Sequence, residues 1–176
     1  MPSANKSTRV SPVSAKNVAE EFKSSLKFIL DGGPSKIGLE STVVDLTSSP
    51  KILRPGFITP AQISKKLGKS ISISKGNKNI KSPGMLKRHY SPGIPIKLNQ
   101  KKADKNEAFI VFGKKYRKSN NVFNLSFKSN LNEAAKNLYK TLRLIKNRNY
   151  KMIHVSPIPK TGIGLAINDR LKRAAK

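Results

Sequence analysis

Ala108-Phe109-Ile110-Val111-Phe112 is an unbroken apolar run, and Val122-Phe123-Asn124-Leu125 follows it at a short interval. Runs this short and apolar, rich in branched and aromatic residues, read as strands buried on both faces. Asn130 then supplies an N-cap with Glu133 at the third helical position, and Ala134, Leu138, Leu142 and Ile145 recur at helical spacing. Met152-Ile153-His154-Val155 reads as a further strand, and Leu165, Ala166, Ile167, Leu171 and Ala174 mark a last helix. Between them, Thr161-Gly162-Ile163-Gly164 reads as a tight turn, because it lacks the spacing and the Lys-Ser/Thr of a phosphate loop. Ile94 to Leu98 adds a lead-in or edge strand. Strands alternating with helices predict an α/β domain with a mainly parallel sheet over residues 94–176.

Upstream, residues 69–93 change character. They are rich in Ser, Lys, Gly and Asn and read as a linker, which carries Ser82-Pro83-Gly84-Met85 and His89-Tyr90-Ser91-Pro92. Residues 1–68 form a separate piece. Ser11-Pro12 predicts a helix start, with Val18, Ala19, Phe22 and Leu26 as its apolar side. Lys27-Phe28-Ile29-Leu30 reads as a strand, and Ser41–Leu46 with Lys51–Arg54 reads as a hairpin around Thr47-Ser48-Ser49-Pro50. Thr59-Pro60-Ala61-Gln62 is a capping box, and Gly68 closes its helix.

The composition narrows the function classes. The chain has no cysteine, which excludes disulfides, zinc–thiolate sites and thiol nucleophiles and fits a cytoplasmic setting. Only His89 and His154 offer imidazole, so no metal site is assigned. No apolar run approaches the ~20 residues that span a bilayer. The 36 Lys and Arg against 9 Asp and Glu give a formal charge of +27. Such a field attracts polyanions, but the lysines are scattered, and clustering rather than total charge marks a nucleic-acid face. A basic RNA-binding or accessory domain without catalysis is the alternative reading.

The first residues, Pro2-Ser3-Ala4-Asn5-Lys6-Ser7 through Ser11-Pro12, form an anion-holding loop in residue type: short hydroxyls, small residues and a helix start. Serines there also serve as plain caps. Arg54, at a strand end before Pro55-Gly56, is placed to pair with phosphate or with an acid such as Glu40 or Asp45. Arg88, His89 and Tyr90 in a loop suit a lid, or an anchor of the linker to a domain surface.

Taken in order, the first loop, Gly38-Leu39-Glu40-Ser41-Thr42-Val43-Val44-Asp45, Leu53-Arg54-Pro55-Gly56, the linker pair of motifs and Gly164-Leu165-Ala166-Ile167-Asn168-Asp169-Arg170-Leu171 resemble the long, two-domain YrdC-like threonylcarbamoyl-AMP synthases. The resemblance implies the C-terminal part of a YrdC-like α/β catalytic domain (1–68), a linker (69–93) and a small Rossmann-like α/β accessory domain (94–176). It implies synthesis of threonylcarbamoyl-adenylate from L-threonine, bicarbonate and ATP with release of pyrophosphate, a nucleotidyl transfer, with Mg2+ arriving on ATP. The product feeds the tRNA threonylcarbamoyl-transferase machinery. By the resemblance, Ser3, Asn5, Ser11 and Arg54 serve ATP, Ser41 and Thr42 face threonine and carbamate, and His89 and Tyr90 form the lid. No residue is a covalent nucleophile. Thr8 stands where glycine is usual. Because the chain starts inside the first motif, the expectation is a truncated and inactive form of the enzyme.

Overall fold

The computed structural model describes residues 4–74 and 89–176. Ser3 and the part of the linker motif from Ser82 to Arg88 lie outside the described residues.

The front piece begins with a loop and helix α1, Ala15–Phe22, followed by a 3-10 turn at Lys23–Ser25. The N-cap of α1 is Ser14, whose hydroxyl accepts from the Asn17 amide, and not Ser11 as its Ser-Pro context predicts. Ser11 is withdrawn because its hydroxyl is spent on a distant carboxylate, described below. The strand expected at Lys27–Leu30 does not form: this stretch is irregular, with Phe28 and Leu30 at 91% and 99% exposure. Among the described residues no strand lies beside it, and an unpaired strand has no ladder to hold it.

Strands β1 (Val43–Asp45) and β2 (Lys51–Arg54) form the expected antiparallel hairpin, with a register shift between Val43 and Val44. Helix α2, Pro60–Leu67, starts on the Thr59/Gln62 capping box and ends on Gly68 in the left-handed region. It returns the chain to β3 (Ser72–Ile73), which pairs parallel to β2. The order is therefore β1-β2-β3, and the start of the stretch read as linker belongs to this sheet.

The second piece holds β4 (Ile96–Lys97), β5 (Ala108–Val111), β6 (Val122–Asn124), helix α3 (Leu131–Lys146), β7 (Ile153–Val155) and helix α4 (Gly164–Ala174). Its four strands are all parallel, in the order β4-β7-β5-β6. The α/β class and the parallel sheet are as the alternation predicts. Asn130 caps α3, its side chain accepting from the Asn132 and Glu133 amides. The main core lies between this sheet and the buried stripes of α3 and α4, around Ile110, Leu138, Leu142, Ile153 and Ile167. Val10 and Tyr90 belong to the same core, so the front loop and the end of the linker are packed into the second piece. Gly38 makes that approach close: a Cβ there would lie 2.6 Å from the Lys136 Cα on α3. No helix among the described residues is long and apolar enough to cross a membrane.

Candidate active site

The hairpin positions Arg54. It sits at the end of β2 opposite Val43, and its side chain turns back toward the segment that leads into β1. Its Nε donates to the Ser41 carbonyl (3.1 Å) and its Nη2 to the Ser41 hydroxyl (3.3 Å). Gly56 permits this, since a Cβ there would lie 2.6 Å from the Glu40 carbonyl oxygen and closer still to the Ser41 and Thr42 backbone. The guanidinium is thus buried and oriented by a hydroxyl and a carbonyl. Such a cation suits an anionic ligand in fork geometry. Neither acid weighed for Arg54 from sequence is the partner seen here, because the Glu40 carboxylate is committed elsewhere. The Thr42 hydroxyl donates to the Ile58 carbonyl at 2.6 Å, which fixes the chain entering α2.

Glu40 is the hub. Its carboxylate accepts from the Ser11 hydroxyl (2.6 Å), the Tyr139 hydroxyl (2.8 Å at the nearer oxygen) and Arg170 Nε (2.9 Å). Arg170 is fully buried; its Nη1 donates to Asp169 at 2.8 Å, and Asp169 also holds Arg173. The Arg170 guanidinium lies 5.2 Å from the Tyr90 ring centre, and Tyr90 stacks on Tyr139 at 5.6 Å. His89 meets Tyr90 edge-on at 4.0 Å, and its amide donates to the Arg173 carbonyl. The Arg170 guanidinium lies over the Tyr90 ring in a desolvated place, where cation–π attraction is strongest.

The electrostatics follow from this crowding. Burial pushes the Glu40 carboxyl up, but the Arg170 charge and the hydrogen bonds from Ser11, Tyr139 and Arg170 outweigh it, and its pKa falls below the ordinary 4.5. Burial pushes the His89 imidazole down, assisted by the Arg170, Arg173 and Arg54 cations and opposed by Glu40, which favours the neutral ring. Burial and the neighbouring carboxylate hold the Tyr139 phenol well above its usual value, and burial raises Tyr90 likewise. Since Glu40 titrates lower in the folded chain than in the unfolded one, its contribution to stability is complete above pH 4.5 and is lost as pH falls through the lower folded value. Urea midpoints from pH 7 to pH 3 are expected to drop below pH 4.5. The drop should be shallower in Glu40→Gln, and identical slopes in the two proteins would contradict this role.

The residues singled out from sequence therefore divide. Ser11, Ser41, Arg54, His89 and Tyr90 gather around Glu40 and Arg170. Asn5 stays in its own loop, donating to the Lys6 and Arg9 carbonyls, while Thr42 serves the turn. Thr8 takes φ 67° despite its branched side chain, a left-handed conformation that glycine adopts without strain. Sequence reasoning passed over Tyr139, Asp169 and Arg170 as chemistry. The signal for Arg170 is its place on the apolar stripe of α4, between Ile167 and Leu171 and before Ala174. Tyr139 likewise lies on the stripe of α3 beside Leu138 and Leu142. Among the described residues no three His, Asp or Glu side chains gather as a metal site.

Comparison with known proteins identifies the family. Residues 58–176 match the family model described as "Threonylcarbamoyl-AMP synthase, C-terminal domain", and residues 1–56 match one described as "Telomere recombination". The chain is 33% identical to threonylcarbamoyl-AMP synthase of Pyrococcus abyssi and 33% identical to that of Bacillus subtilis. In both cases the match covers 99% of this chain and 56% of the relative. The crystal structure of P. abyssi Sua5 complexed with L-threonine superposes with a TM-score of 0.85 at 34% identity, again over 99% of this chain and 56% of that one. The 176 residues thus span a little over half the length of the relatives they match. With a family model matched over more than half of its residues, and a fold shared along almost all of them, the chain belongs to the threonylcarbamoyl-AMP synthase family.

Proposed function

We propose that these residues serve the synthesis of threonylcarbamoyl-AMP from L-threonine, bicarbonate and ATP, in the modification of tRNA. The observation that carries this reading is the likeness along 99% of the chain to a relative solved with L-threonine. The division of labour is that of a catalytic-domain piece that runs on through β3, a linker up to residue 93 and an accessory domain (94–176). In the reaction bicarbonate loses its hydroxyl to give carbon dioxide, the threonine amine adds to it, and the amine proton leaves with that hydroxyl as water, giving a carbamate. A carbamate oxygen attacks the α-phosphate, the bond to the β-phosphate oxygen breaks, and pyrophosphate leaves with the electron pair. Such a transfer gains chiefly from alignment and charge neutralisation. Arg54, preset by Ser41, supplies a fixed positive charge to the phosphates, alongside the magnesium that accompanies ATP as substrate. Ser41 lies on the side assigned to threonine and carbamate, with Thr42 fixing the turn beside it, and the first loop is assigned to the nucleotide, with Asn5 shaping that loop and Ser11 acting through Glu40. His89 and Tyr90 are assigned the cover of the cleft, with Tyr90 as its anchor in the core, and the neutral His89 ring can donate to or accept from a substrate oxygen without adding charge.

On their own the 176 residues are expected to turn over poorly, since the activity belongs to relatives of nearly twice this length and Phe28, Leu30 and Leu46 present bare apolar surface. The test is pyrophosphate release from ATP, L-threonine and bicarbonate, together with ATP binding by the purified chain. Weak ATP binding that Arg54→Ala reduces about tenfold or more is expected, the value of a charge-assisted contact. ATP binding indifferent to Arg54→Ala would sink the assignment of that residue, and robust pyrophosphate release would sink the expectation of poor turnover.

A further inference from the structure

A second crevice adjoins the far side of the Glu40 hub, at the carboxyl ends of β4 and β7, where Asp169 lines it with its carboxylate already paired to Arg170 and Arg173. It has a volume of about 370 Å³ and is walled by α4, by the loop after β7, and by Pro55 and Ile73 of the front piece. In parallel α/β sheets, ligands bind outside the carboxyl ends of the strands. Leu98 and Leu165 supply apolar walls, Lys160 and Lys172 bring exposed cations, and Ser156 lines the crevice. Ser156 is the informative residue. It is 2% exposed, its amide is satisfied by the Ile110 carbonyl, and its hydroxyl has no hydrogen-bond partner among the described residues. A buried hydroxyl without a partner costs ~1–3 kcal/mol, a cost that a bound polar group would offset.

We propose that this crevice binds a nucleoside monophosphate. The apolar walls suit a flat ring, the two lysines suit one phosphate, and Ser156 can bond the ribose or the phosphate. The volume sits at the low end of the ~300–1,000 Å³ typical of ligand pockets, which favours one nucleotide over two. The turn at 161–164 also lacks the glycine pattern of a dinucleotide site. Because Pro55 and Ile73 share the crevice with α4, the ligand would touch both pieces of the chain.

The test is titration of the full chain with AMP, followed by calorimetry. Saturable binding is expected, with affinity about tenfold lower in a Lys160→Ala/Lys172→Ala double variant and lower again when Ser156→Ala is added, since each removes a charge-assisted or buried bond. All of these replacements remove surface charge or an unpartnered hydroxyl, and thermal melts confirm folding. Lys140→Ala, at an exposed position on α3 that does not line the crevice, is expected to leave AMP binding unchanged. Absence of saturable binding, equal affinity in the double variant, or an equal loss of binding in Lys140→Ala would overturn the proposal. Displacement of AMP by inorganic phosphate as effective as by unlabelled AMP would overturn the nucleoside part, leaving a simple anion site.

Discussion

Arg170→Met is expected to lower the stability of the chain by about 3–5 kcal/mol, the usual result of removing one partner of a buried ion pair. The charge of Glu40 would then remain in a pocket built around a guanidinium, with only the Ser11 and Tyr139 hydroxyls to hold it. Asp169 would lose its Nη1 contact, and the face of Tyr90 would lose its cation. For a chain of this size, ~2–4 °C of melting temperature accompanies each kcal/mol, so a fall of roughly 6–20 °C should be seen in thermal or urea unfolding. Methionine keeps the length of the side chain, which isolates the charge from simple cavity formation. The double variant Arg170→Met/Glu40→Gln should recover part of the loss, because the carboxylate no longer needs a counter-charge. A single variant within about 1 kcal/mol of the parent, judged against that range, would show that the pair does not hold the two pieces together.

Gly38→Ala is expected to cost about 2–6 kcal/mol, from backbone strain of ~1–3 kcal/mol and overpacking of similar size. Gly38 has φ +80°, and the new Cβ would stand 2.6 Å from the Lys136 Cα and 2.8 Å from its carbonyl oxygen. Both obstacles are helix backbone, which cannot rotate aside. Relief requires the front piece to lift from α3, which would pull Glu40 away from Tyr139 and Arg170. Gly33→Ala is the control: its φ is +82°, but nothing lies within 4 Å of the added carbon, so only the conformational part should appear. Limited proteolysis of Gly38→Ala should cut the front piece early and spare residues 94–176. Equal melting temperatures for the two alanine variants would refute the contact.

The second piece was legible because its elements declare themselves locally. Asn130 and Glu133 open α3, the apolar stripe continues through Ile145, and the strand runs at 108–112 and 152–155 are too apolar to lie on a surface. Thr59 to Gln62 was equally plain, since a capping box is a short-range pattern. Ser11 and Ser14 could not be told apart locally, because both are serines ahead of one apolar stripe. What separates them is Glu40, 29 residues away. Lys27–Leu30 has the composition of a strand, but a strand also needs a neighbour, and that lies outside local pattern. The hub was hidden for the same reason: Tyr139 and Arg170 reach Glu40 across 99 and 130 residues. Only the presence of a tyrosine and an arginine on otherwise apolar helix stripes hinted at it.

The place of Glu40 next to Ser41 in the chain has a mechanical consequence. Helices α3 and α4 hold the side chain of Glu40, and the following residue holds Arg54 through its carbonyl and its hydroxyl. One peptide bond therefore links the grip of α3 and α4 to the cation assigned to the phosphates. A shift of α4 would act on the guanidinium through this short lever, from a helix that makes no hydrogen bond of its own to Ser41, the partner of Arg54, among the described residues.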